Sequence, residues 1–218
     1  MPSSQTSLRH FRPSTIALVF VAGILGSACG DDPSSPPAGA GDPENISHVI
    51  ITLTPVGGGA AVTSEIIDPD GTQLPDPPQP PSATLALTKG TVYNGTITLL
   101  NDIDPNNIVN ITNEVVNEAN FHRFFYTITA DPLAAPDSIN IPPADPTRMI
   151  TIDNLNTDTQ APPQTLGTTY TVTVDAAAPT TASTTLNVQL HHFEQAKGNG
   201  LGTTFDTDLA VNFPVSVQ

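Results

Sequence analysis

Asn110–Thr129 reads NITNEVVNEANFHRFFYTIT. In its first half the pattern leaves the two-residue period and turns helical. Ile111, Val115 and Ala119 recur at i, i+4 and i+8, one apolar face of a helix. Asn110 or Thr112 can cap that helix, and Glu114 lies in its first turn, where the helix dipole favours an acid. Asn120 suits a left-handed C-terminal position. From Phe124 to Thr129 the two-residue alternation returns. A single short helix set between strands makes this an all-β chain with one insertion.

Outward from there, every apolar run has the strand period. Thr91–Leu100, TVYNGTITLL, is the strongest: Tyr93, Ile97 and Leu99 point one way, Val92, Asn94, Thr96 and Thr98 the other. Ile46–Thr54, Ala60–Ile67 and Thr84–Leu87 precede it, separated by Gly57-Gly58-Gly59, by Asp68-Pro69-Asp70-Gly71 and by the Pro-rich stretch 73–81. Arg148–Ile152, Thr168–Val174, Thr184–His192 and Asp208–Val217 follow it. In Thr184–His192 the inward set is Leu186, Val188, Leu190 and His192, which leaves His191 on the polar side as a surface residue. About nine strands at this spacing predict a β-sandwich. Phe121, Phe124, Phe125 and Tyr126 read as its core aromatics, in a chain without Trp.

The N-terminus has a different character. Arg9, His10 and Arg12 precede Ile16–Leu25, an apolar run too short to span a bilayer, and Gly26-Ser27-Ala28 lead directly into Cys29. Residues 1–28 thus read as a signal peptide. The small residues before the only Cys of the chain resemble the bacterial lipoprotein box, with Gly26 where that box usually has Leu. The alternative is an ordinary cleavage site beside an incidental Cys. Residues 29–45, with Pro33, Pro36, Pro37 and Pro43 and almost no apolar side chains, read as a lipidated Cys and a disordered tether. Residues 46–218 form the sandwich domain.

Composition excludes several functions. The chain has 21 acidic and 6 basic residues, a formal net charge of -15. No basic patch is available for phosphates, so nucleic acid is not a partner. Such a field draws cations, and it also keeps an exported protein soluble. One Cys rules out an internal disulfide. There is no G-x-S-x-G, and the triglycine lacks a following Lys and helix. No enzymatic activity is expected.

Two cation sites are legible. Glu114, Glu118 and His122 are spaced i, i+4, i+8 and share one side of a continuous helix. His192, at the end of an apolar strand face, can meet them at the sandwich rim. Imidazole with carboxylate suits zinc, copper or nickel. The competing reading makes the two Glu solvated and the two His bonded to backbone or water. Asp102, Asp104 and Asn106 resemble the start of a calcium loop but lack the Gly and Glu that complete one. Asp and Asn also favour turns for local reasons.

Several motifs occur together in order: Asp68–Gly71, Thr91–Asn101, Glu114 with Glu118, His122–Phe125, Leu186–His192 and Val211–Gln218. The series resembles a flavobacterial-type lipoprotein family often labelled "type 1 periplasmic binding domain-containing". That label implies alternating strands and helices, which this chain lacks. The resemblance implies no established activity. Gly30 directly after Cys29, with Asp31-Asp32 next, gives no inner-membrane retention signal, so the chain is read as a lipoprotein of the outer membrane, on its periplasmic or cell-surface side, held there by a lipid anchor. Its non-enzymatic sandwich would bind a ligand and pair with an outer-membrane receptor. The alternative is a metal-binding lipoprotein using the Glu114, Glu118 and His122 region, with a divalent ion as its only cofactor.

Overall fold

The computed structural model describes residues 44–71, 78–129, 149–180, 183–194, 196–197 and 204–218. The stretches read above as signal peptide, lipidated Cys29 and tether, up to residue 43, lie outside them.

Alternation decides which residues form strands and which face each strand buries. In β4 (Val92–Asn101) the burial follows the sequence: Tyr93, Ile97 and Leu99 are buried, Val92, Asn94 and Thr96 exposed. β4 is central to one sheet, ordered β2 (Val62–Ile67), β1 (His48–Pro55), β4, β8 (Thr169–Val174), β7 (Ile150–Asp153), all antiparallel; the two-residue β5 (Val109–Asn110) pairs with the end of β4. The second sheet is ordered β3 (Leu85–Leu87), β10 (Phe205–Val217), β9 (Ser183–Phe193), β6 (His122–Thr129). Only the β3–β10 pair is parallel.

The two inner faces form one hydrophobic core: Ile51, Leu53, Tyr93 and Leu99 from the first sheet, Phe124, Leu186, Val188 and Phe213 from the second. Tyr126 links the two through ring contact with Tyr170, centroids 4.3 Å apart, and its hydroxyl donates to the Gly167 carbonyl at 2.7 Å. The Tyr170 ring covers Gly95, where a Cβ would come within 2.3 Å of it. Glycine is needed there because the ring occupies the space of a side chain.

The helix is shorter than the sequence implies. α1 covers Ile111–Asn117, with Asn110 as N-cap accepting from the Asn113 N–H at 3.2 Å. Ile111 and Val115 are its buried residues, as the periodicity predicts. It stops at Glu118 because few of its residues favour helix and its packing ends there. Residues 118–121 turn, and His122 already belongs to β6. Thr112 ties α1 to the sheet by accepting the Leu99 N–H at 2.7 Å.

His191 departs from expectation. It is 3% exposed, stacked on Phe205 at 4.0 Å and against Phe125 at 4.5 Å. Alternation places it correctly on the outer face, but that face is not solvated there.

Candidate metal centre

The register of β6 and β9 puts His122 directly opposite His192, ring centroids 4.3 Å apart. Both sit on the inner-facing set of their strands, the first fully buried and the second nearly so. Two carboxylates join them. Glu44, just ahead of β1, places Oε1 at 2.6 Å from His122 Nε2 and 3.8 Å from His192 Nδ1. Asp208 places Oδ2 at 3.8 Å from His122 Nε2. Each of the four residues offers a donor atom, and these atoms all lie within 4.8 Å of one another. Among the described residues this is the one group of three or more such side chains with that geometry.

Asp208 reaches the site through a β-bulge. β10 pairs with β9 as Thr207 with His191 and then Leu209 with Leu190, which leaves Asp208 as the extra residue. Simple alternation would send it to the face opposite Leu209. The bulge re-aims it, and its side chain is 3% exposed. Glu44, at the end of the predicted tether, is packed rather than free, its side chain 4% exposed.

Surrounding groups fix the His122 ring. Its Nδ1 lies 3.3 Å from the Glu118 carbonyl, which leaves Nε2 aimed at Glu44. A backbone carbonyl on the far nitrogen is the usual support for a ligating imidazole. The turn before His122 is held by Lys197, whose ammonium is fully buried. It donates to the Ala119 carbonyl, to the His122 carbonyl at 2.8 Å and to Asp158 at 3.0 Å.

The charges do not balance among themselves. Burial pushes the Glu44 carboxyl up, but the hydrogen bond and charge of His122, with Asp208 also contributing, outweigh it and leave it below the usual carboxylate range. Asp208 is pushed up to about 8, by burial first and then by the neighbouring charges of Glu44 and Asp206. The His192 imidazole is lowered by burial and by His122, with Glu44 and Asp206 opposing. Glu44 shares a side-chain hydrogen bond with Asp208, and no N–H among the described residues reaches its buried Oε2. Asp208 can hydrogen-bond Glu44 only while it holds a proton. Two buried carboxylates this close need a proton or a cation between them.

The residues fit a divalent ion. Zinc bound at about 2.0–2.2 Å to N and O donors holds its ligands roughly 3.3–3.6 Å apart. The present spread of up to 4.8 Å needs only small side-chain shifts to close. The short Glu44–His122 contact would lengthen as the ion replaced the proton.

The sequence-derived ligands divide. His122 and His192 come together; Glu114 and Glu118 are not in the four-residue group. Glu114 is exposed on α1. Glu118 flanks the site: burial raises its carboxyl, His122 opposes, and Glu44 and Glu114 add to the rise. Ending the helix at Asn117 breaks the i, i+4, i+8 alignment. The calcium candidates are otherwise engaged. Asp102 accepts from Ser47 Oγ at 2.6 Å and meets His48 Nδ1 at 2.9 Å, while Asp104 accepts from the Asn106 N–H at 2.9 Å in a local turn. Sequence reasoning missed Glu44, Asp208 and Lys197. No local signal marks them: alternation puts Asp208 out of phase with the inward Leu209, Val211 and Phe213, on the opposite face.

No family model, curated protein or solved structure matches this chain.

Proposed function

We propose that this chain is an exported, lipid-anchored protein whose sandwich binds a divalent transition-metal ion without catalysing a reaction. The observation that carries the metal reading is the Glu44, His122, His192 and Asp208 group, with buried donor atoms within 4.8 Å of one another. Two imidazoles and two carboxylates suit zinc, copper or nickel better than calcium, which takes six to eight oxygens. Four protein ligands also close a tetrahedral site, as in non-catalytic zinc centres, whereas catalytic ones keep a position for water. The acidic chain raises local cation concentration around it.

The test is metal content after purification without chelator, with zinc, copper and nickel supplied in turn. About one ion per chain is expected for at least one metal; none for any of them overturns the reading. The export and anchoring part rests on the apolar run, the small residues and Cys29. Cys29→Ser should move the protein from the membrane fraction to the soluble fraction after export. Retention of that variant in carbonate-washed membranes would show that Cys29 is not the anchor. An outer-membrane receptor as partner is tested by co-purification from solubilised membranes.

A further inference from the structure

Between β6 and the segment that follows β7 lies a cleft of about 290 Å³, at the edge of the second sheet. Arg123, Phe125 and Tyr126 form one wall, Asp153, Asn154 and Leu155 the other. It does not depend on the metal reading, since none of its lining residues belongs to that group.

Arg123 is the unusual member. Of the three cations among the described residues, Lys197 is paired with Asp158 at 3.0 Å, and Lys89 is on the surface with its ammonium on Thr180. Arg123 is half-buried and has no carboxylate within 4 Å among the described residues, in a chain with 21 acidic side chains. Its Nε is buried without a hydrogen-bond acceptor. The guanidinium lies 4.8 Å from the Phe125 ring centroid, an arrangement that holds the fork in place without satisfying its donors. Lys197, already answered by Asp158, adds positive potential from nearby. A buried donor left unmade is costly, and a positioned guanidinium is the side chain best shaped to grip a planar oxyanion.

We propose that this cleft binds the carboxylate of a small organic anion, with Arg123 as the group that holds it. A monoanion fits better than a phosphate dianion because one guanidinium lines the cleft together with the Asp153 carboxylate. Phe125 and Leu155 supply apolar surface for the rest of the molecule.

The experiment uses the full chain and phenylacetate, observed by saturation-transfer NMR, with phenylacetamide as the uncharged control of the same shape. Saturable transfer to phenylacetate, with a dissociation constant on the order of 1 mM, is expected. The amide should give none at the same concentrations. Arg123→Gln should weaken phenylacetate roughly tenfold or more, and Arg123→Lys by less, since a lysine keeps the charge but loses the fork. Absence of transfer to phenylacetate overturns the proposal, as does equal binding of acid and amide by the unaltered chain. Those two outcomes stand whether or not the Arg123 variants fold. Inorganic phosphate displacing phenylacetate at lower concentration than phenylacetate itself requires would also overturn it, in favour of a tetrahedral anion.

Discussion

Among the described residues two clusters join histidine with carboxylate, and they differ in kind. At the first, His48 on β1 sits between Glu65 of β2 and Asp102, each 2.9 Å from one ring nitrogen. Its members remain partly open, the side chains 13%, 42% and 29% exposed. The acids lie at opposite ends of one ring, so no single ion can join them. Ser47 donates to Asp102, and the Asp102 carboxyl is lowered by that hydrogen bond, burial opposing and His48 assisting. Every group there has what it needs. At the second, two rings and two carboxyls converge within 4.8 Å of one another in a buried site, with more acceptors than N–H donors among them. The same residue types make a partly exposed, locally satisfied set of contacts in one place and a buried, converging set of donor atoms in the other. Burial and convergence decide which.

Removing ligands separates the two most sharply. His122→Ala with His192→Ala should reduce zinc affinity by more than roughly a hundredfold, beyond what losing a supporting shell costs. Calorimetric titration measures this, and unchanged affinity would erase the distinction. Glu114→Gln should leave zinc binding as it was.

The next effect is in pH. Asp208 has an ordinary carboxyl value of 3.8 and about 8 in the fold. Across that interval the native state holds a proton that the unfolded chain has lost. Stability from this group is therefore lost as pH rises through the native value. His192, being lowered, acts oppositely but below its ordinary 6.5, and Glu44 acts lower still. Between pH 7 and about 8 the Asp208 effect stands alone among these three, and above that it levels off. Metal-free protein should show a falling Tm across that window. Asp208→Asn or saturating zinc should flatten it. A metal-free Tm that rises instead would mean Asp208 is not held protonated.

The smallest effect is at the first cluster. His48→Ala should cost about 1 kcal/mol or less in a denaturant titration, because partly exposed ion pairs contribute little. It should leave zinc affinity unchanged. A large loss of zinc affinity in this variant would place the cation at the wrong cluster.

Strands were readable in the sequence because alternation is local: the burial of Tyr93, Ile97 and Leu99 is written in the spacing of Thr91–Leu100 itself. The helix was readable for the same reason, through Ile111 and Val115, but its end was not. Termination at Asn117 depends on what packs against the last turn, and weak propensity gave no firm stop. His122 and His192 each showed a His at the edge of an apolar face. Their pairing depends on the register of β6 against β9, which joins residues 70 positions apart.

Sequence by itself determined an all-β chain, a single insertion, an acidic surface and two of the four residues at the candidate centre, since these follow from short-range periodicity and composition. Tertiary structure decided the rest. A bulge between Thr207 and Leu209 turned Asp208 inward, and folding brought Glu44 from ahead of the first strand onto His122. Neither event leaves a local pattern. Each depends on contacts between strands far apart in the chain, and burial among those contacts changes what the side chains can bind.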